Sequence, residues 1–327
     1  MIVVRTPLRV SFVWWGSDLA SFYRNNGWWA VISTSIDKAV HVCINKKFDG
    51  KIRLSYSKTE IVDNLNELQH GLAKEILQYT GVDHWVEVVS IADIPSEWSG
   101  LGSSSSYTIA MLHGLHAYKN QFISKEHLAQ SACEIEIERC KQPIGKQDQY
   151  AAAYGGLNLI EFHEDDRVSV QKIICLKETK QRLEENLLMM YTGITRSASE
   201  ILQKQNTNMI SQSEKAQLMK RMVEYAYDLK KELENNNLNS FGEILHENRV
   251  LKSQMAGGIS NPQIDEWYNT GRSNGASGGK VLWAGGGWFL LFYAPKEKHA
   301  DIIQALPELR PVPFAFDNEG SSVIYYN

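Results

Sequence analysis

PSEWSGLGSSSSYTIAMLHGLHAY, residues 95–118, places a glycine on either side of Leu101 and then four consecutive serines, directly ahead of a segment that reads as a helix. Tyr107, Ala110, Met111, Gly114, Leu115 and Tyr118 fall on one stripe, and Ile109 and Leu112 lie off it. The helix is apolar most of the way round and belongs inside a core. Its N-terminus presents unpaired N–H groups and a partial positive charge, which attract anions and phosphate above all. Gly100 and Gly102 let the backbone approach an anion closely, and the hydroxyls of Ser103, Ser104, Ser105 and Ser106 add donors, one of which can ligate Mg2+. The stretch reads as a triphosphate cradle. A serine-rich loop with a good N-cap is the plainer alternative.

Upstream, AVHVCINKKF alternates Val40, Val42 and Ile44 as a strand does, and KIRLSY follows Asp49-Gly50, which predicts a hairpin turning there. HWVEVVSIAD is another strand. NLNELQHGLAKEILQYTG carries Leu68, Leu72 and Ile76 at helical spacing with a stop at Gly81. Downstream, SKEHLAQSACEIEIERC predicts a helix capped by Ser124. The second half is more helical. Ser211 and Glu214 form a capping box, Leu218, Met222, Ala226, Leu229 and Leu233 a core stripe, and NSFGEILHENRVLKSQM a further helix. Strand-like WFLLFYAP, a helix near KEKHADIIQAL, and strands near VPFAF and SSVIYY close the chain. Charged segments place a boundary between 165 and 185, giving parts 1–178 and 179–327.

The 327 residues are enough for two domains or one large one. A formal charge of −4 offers no basic footprint for nucleic acid. No signal peptide and no apolar run of membrane-spanning length is read, so no membrane partner is expected. Cys43, Cys133, Cys140 and Cys175 lack C-x-x-C spacing, which suits a reducing compartment and a cytoplasmic address. The P-loop, dinucleotide, protein-kinase and serine-hydrolase signatures are all missing.

Two other stretches change the balance. GGKVLWAGGGWFLLFY sets Gly285, Gly286 and Gly287 between apolar runs, and EIEIERCKQPIGKQDQYAAAYGG joins a glutamate-rich helix to a loop presenting Lys146 and Asp148. Here the chain resembles the GHMP small-molecule kinases, such as galactokinase, homoserine kinase and mevalonate kinase. PSEWSGLGSSSSY is similar to their second motif, PIGKQDQYAAAYGG to the segment with the catalytic aspartate, AGGG to the third motif, and RTPLRVSF with GSDLASFYRNNG to the first. Within the family, ISTSIDKAV, SYSKTEIV, IADIPS, YTGITRSAS and GISNPQID bring the likeness closest to the bacterial heptose 7-phosphate kinases.

The resemblance implies an α+β protein of the GHMP kinase fold, with a ribosomal-protein-S5-like N-domain, a ferredoxin-like C-domain and the active site between them. It implies ATP and Mg2+, and phosphorylation of the C1 hydroxyl of D-glycero-D-manno-heptose 7-phosphate, feeding nucleotide-activated heptose. Asp148 is then the catalytic aspartate and Arg9 its neighbour. Ser104 and Glu136 are the metal ligands, with Ser103, Ser105 and Ser106, and Glu134 and Glu138, as their respective alternatives. Asp18 corresponds to an aspartate that binds sugar hydroxyls, and capping a helix is its competing role. Arg24, Lys146 and Arg196 are candidates for the 7-phosphate. A homodimer stays open. The chain departs from the pattern where glycines are usual: Trp14, Trp15, Trp28, Trp29, Trp98, Trp283 and Trp288 stand at or beside them. A kinase of another sugar of the fucose or mannose type, or a GHMP-fold binding protein without catalysis, are the alternatives.

Overall fold

The computed structural model describes residues 1–13, 18–20, 23–24, 29–94, 100–193, 213–255, 262–282 and 289–327. Of the residues singled out above, Trp14, Trp15, Trp28, Trp98, Arg196, Ser211, Trp283, Gly285, Gly286, Gly287 and Trp288 lie outside them.

Strand β2 (Trp29–Lys46) organises the first lobe. Strand β1 (Ile2–Val13) pairs along one of its edges. The other edge is shared in turn by β6 (Leu157–Phe162), β12 (Phe316–Asp317) and β5 (Val86–Ala92). The first eight residues of β2 are buried on both faces, so the period-two signal shows only in its far half. Trp29 is among the largest fully buried side chains.

The expected hairpin at Asp49-Gly50 does not form. β5 lies between β2 and β3 (Ile52–Ser55), antiparallel to the first and parallel to the second. The turn is a connection held by Trp85, whose backbone bonds Lys47 on one side and Gly50 on the other. β4 (Thr59–Val62) completes that edge.

Helix α1 (Gly71–Thr80) starts at a His70 cap and stops at Gly81, φ 66°; Leu68 belongs to a short turn ahead of it. Helix α2 (Ser103–Tyr118) packs on β1 and β2 and is buried on nearly all sides. A Cβ at Gly114 would lie 2.7 Å from Ile44 Cδ1, so glycine sets how closely helix and sheet approach. Helix α3 (Lys125–Cys133) is capped by Ser124 and runs on into a π-helical turn, Glu134–Arg139. Helix α4 (Gln147–Tyr154) follows, β7 (Val168–Lys172) pairs with β6, and helix α5 (Lys177–Glu185) leads into the second lobe.

The second lobe is an antiparallel sheet in the order β11 (Arg310–Pro311), β8 (Leu187–Tyr191), β10 (Phe289–Tyr293), β9 (Gly278–Val281). On one face Met190, Leu290 and Phe292 pack against α8 (Pro262–Ser273) and α9 (His299–Ala305). On the other, Met189 and Leu291 join the main core with α6 (Ser213–Glu234) and α7 (Phe241–Met255). Met222, Ala226, Leu229 and Leu233 are buried along α6 as the periodicity predicts.

The division at 178/179 needs correction at the far end. β12 pairs with β2, and β13 (Ser322–Tyr326) pairs with β1, so the end of the chain returns to the first lobe. The pattern inside a strand fixes its faces but not the sheet it joins.

Candidate active site

Strand β1 is interrupted twice. Its register with β2 shifts between Pro7 and Arg9 and again between Ser11 and Val13. Such bulges take backbone groups out of the ladder and re-aim side chains. At the first, Pro7 O accepts from Ser106 Oγ at 2.8 Å and Arg9 N donates to Leu101 O at 3.0 Å. The glycine-serine loop is thereby fastened to β1 from both ends.

Arg9 is almost fully buried and reaches two further partners. Its Nη1 donates to Gly100 O at 2.7 Å, while Nε at 2.8 Å and Nη2 at 2.6 Å hold Asp148 Oδ1. Gln147 Nε2 donates to the same oxygen at 3.0 Å. Asp148 remains partly exposed, with Oδ2 turned toward Gly102. Gly102 has φ 76°, and a Cβ there would sit 3.5 Å from Asp148 Oδ2. Gly102, the N-cap of α2, offers no side chain of its own to cap the helix, so the start of α2 lies close to the Asp148 carboxylate. The structure brings Gly100, Gly102, the serines, Arg9 and Asp148 together.

Glu136 sits beneath the serines, fully buried. Ser104 Oγ (3.2 Å) and Thr108 Oγ1 (2.9 Å) donate to its Oε1, and Ser105 Oγ (2.8 Å) and Gln149 Nε2 to its Oε2. Burial pushes its carboxyl above the usual range, against the pull of those hydrogen bonds. The π-turn aims Glu136 at α2, while Glu134 faces Tyr79 and Arg139. Thr108 and Gln149 were missed in the sequence; Thr108 stands one helical turn after Ser104, which was the available signal. Ser104 is exposed at the helix tip. One carboxylate and one hydroxyl, both hard oxygen donors, suit Mg2+, which fills its remaining positions with phosphate oxygens and water. Among the described residues no three His, Cys, Asp or Glu side chains cluster as a metal cage.

Asp18 is buried, and its Oδ2 accepts from Gln147 N at 3.0 Å, at the start of α4. A Cβ at Gly145 would fall 2.0 Å from that oxygen, so any other residue here would push the Asp18 carboxylate aside. This is the contact of a helix cap. Arg24 and Lys146 do meet, on a carboxylate the sequence did not single out. Arg24 Nη2 (2.8 Å) and Lys146 Nζ (3.4 Å) bond Asp166, and Tyr23 OH donates to it at 2.7 Å. Partial burial works to raise the Asp166 carboxyl, but the hydrogen bonds of Arg24 and Tyr23 and the Lys146 charge bring it down to about 2. Arg196 and Gly285 to Gly287 lie outside the described residues. Among the described residues no helix is long and apolar enough to cross a membrane.

Comparison with known proteins fits this geometry. The GHMP kinases N terminal domain matches residues 67–156, and the GHMP kinases C terminal domain matches residues 229–309. A D-glycero-alpha-D-manno-heptose 7-phosphate kinase of Campylobacter jejuni is 28% identical over 98% of this chain and 97% of its own length. A bifunctional fucokinase/GDP-fucose pyrophosphorylase of Arabidopsis thaliana is 28% identical over 72% of this chain, which spans 23% of that enzyme. Two solved structures share the fold: a D-glycero-D-manno-heptose 1-phosphate kinase of Bacteroides thetaiotaomicron, with a TM-score of 0.81 at 21% identity over all of both chains, and the galactokinase of Lactococcus lactis, with 0.76 at 17% identity over 98% of this chain and 94% of its own. With both domains matched in order on the two lobes, the chain belongs to the GHMP kinase family of ATP-dependent phosphotransferases.

Proposed function

We propose that this ATP-dependent sugar kinase transfers the γ-phosphoryl group of ATP to the C1 hydroxyl of D-glycero-D-manno-heptose 7-phosphate, giving the 1,7-bisphosphate. The observation that carries the proposal is the approach of Asp148 to the start of α2, where a Cβ on the N-cap Gly102 would sit 3.5 Å from Asp148 Oδ2. Phosphoryl transfer asks mainly for positioning and charge neutralisation. Asp148 would orient the sugar hydroxyl and accept its proton as the oxygen bonds to phosphorus and ADP leaves. Arg9 fixes the carboxylate while tying it to the loop that would hold the phosphates. Mg2+, on Ser104 and Glu136, would neutralise phosphate charge when bound. Asp18 holds the start of α4, and with it Asp148, in place. Arg24 and Lys146 would receive the 7-phosphate in exchange for Asp166. The kinase named for heptose 7-phosphate among the relatives, matched end to end, supports this acceptor over fucose or mannose.

The test is ADP release from the full chain with Mg-ATP, comparing heptose 7-phosphate with the unphosphorylated heptose and wild type with Asp148→Ala. Turnover that needs the 7-phosphate, and that falls at least about a thousandfold in the variant, is expected. Turnover with the unphosphorylated sugar alone would point to another sugar kinase. Binding of both ligands without turnover would point to a non-catalytic protein and to the tryptophans in the glycine motifs.

A further inference from the structure

The second bulge of β1 frees the carbonyl of Phe12, and Lys280 from β9 takes it, Nζ to O at 3.0 Å. Lys280 is 5% exposed. Its ammonium has three protons to place, and among the described residues Phe12 O is its acceptor. The charged groups that act on it there are Lys252, which is also buried, and Arg9. All are cations, and Arg9 is already committed to Asp148. Next to Phe12 is Ser11, whose Oγ is buried and has no partner among the described residues. No register shift separates Arg9 from Ser11, so both side chains lie on one face of β1, the face turned toward Asp148. Among the described residues, then, a buried lysine lacks an anion and a buried hydroxyl lacks a partner, and each is costly. Burial presses both lysines toward the neutral amine, Lys252 to about 7. On the function proposed above, both substrates carry the missing charge.

We propose that Lys280 and Ser11 form an anion site beside Arg9 that binds a phosphoryl group of one of the two substrates. With an anion bound, Lys280 is held as the ammonium and supplies the charge and two further N–H donors, and Ser11 a neutral donor. A phosphate oxygen arriving there completes the hydrogen bonding of both, which neither side chain achieves within the fold. Burial of the site ahead of the ligand is pre-organisation, and it costs stability in the ligand-free chain.

The test measures binding and does not depend on turnover, so it stands apart from the identity of the acceptor. Calorimetry on the full chain would compare ATP, ADP and adenosine, and heptose 7-phosphate with heptose, for wild type, Lys280→Met, Lys280→Arg and Ser11→Ala. Lys280→Met should weaken one phosphorylated ligand by about tenfold or more and leave its phosphate-free counterpart unchanged. Lys280→Arg should recover part of the loss, and Ser11→Ala should weaken the same ligand by roughly threefold. Loss confined to ATP assigns the site to the γ-phosphoryl group, and loss confined to heptose 7-phosphate assigns it to the acceptor. The ligand-free Lys280→Met protein should melt no lower than wild type. Equal affinities in wild type and variant, or equal losses with and without phosphate, would overturn the proposal. If Lys280→Met does not fold, the lysine is structural and unchanged affinities in Ser11→Ala complete the refutation.

Discussion

Arg9 joins a strand, a loop and a carboxylate through one guanidinium. Its three nitrogens are divided between Gly100 O and Asp148 Oδ1, and its backbone N–H goes to Leu101. A lysine keeps the charge but offers a point where this site uses a fork. Arg9→Lys therefore releases either the loop or the aspartate. Steady-state kinetics should show kcat lower by about a hundredfold and a raised KM for ATP. The two residues act as a unit, so Arg9→Lys in an Asp148→Asn background should cost far less than it does alone. Additive losses would mean that Arg9 acts on the phosphates and not through Asp148.

At the scale of elements, the π-turn after α3 does for Glu136 what the bulges do for β1. It turns a side chain from its regular path and delivers it, fully buried, under the N-terminus of α2. Glu136→Gln keeps the size but meets four donors with one acceptor fewer and one extra N–H2 group. The Mg2+ concentration for half-maximal activity should rise by about tenfold, with a loss of roughly 1–3 kcal/mol in urea unfolding. A shifted unfolding curve with an unchanged Mg2+ titration would leave Glu136 as a tether between α2 and α3 alone. These elements also show what could be read in advance. The glycine-serine loop and α2 are written locally, in glycines and apolar periodicity, and they were legible, while the role of the GKQDQ segment came only through the family resemblance. Both bulges depend on how β1 registers with β2, so Ser11 and Lys280 carried no local mark. Asp166 matters only because Arg24 and Lys146 converge on it, and β5 enters between β2 and β3 from Val86 onward, pairing Lys46 and Ile52, far beyond the reach of a window of about 11–18 residues.

At the scale of the molecule, the chain's end straps the first lobe shut. Met1 N donates to Asn327 O at 2.6 Å, and β13 covers the outer edge of β1. Ahead of it the strap crosses α4 so closely that a Cβ on Gly320 would lie 2.0 Å from Ala153 O. Ser321 then ties three elements. Its Oγ accepts from Thr6 Oγ1 at 2.8 Å and faces His113 Nδ1 of α2 at 2.9 Å. The direction of the His113 bond depends on the imidazole tautomer, since Ser321 Oγ can donate one bond and accept two. Burial, with the nearby charges of His116 and Lys125, brings His113 down to about 4. The folded chain thus holds fewer protons at this site than the unfolded chain between about pH 4 and the ordinary histidine value of about 6.5. The site's contribution is complete above that window and is lost as pH falls through it. Going from pH 7 to pH 5 should cost ~2 kcal/mol from this group. His113→Asn keeps a polar atom near Ser321 without the titration. Urea unfolding at both pH values should show the variant's stability falling less than that of wild type by about this amount. Equal falls would mean that His113 can turn away and take its proton without loosening the strap.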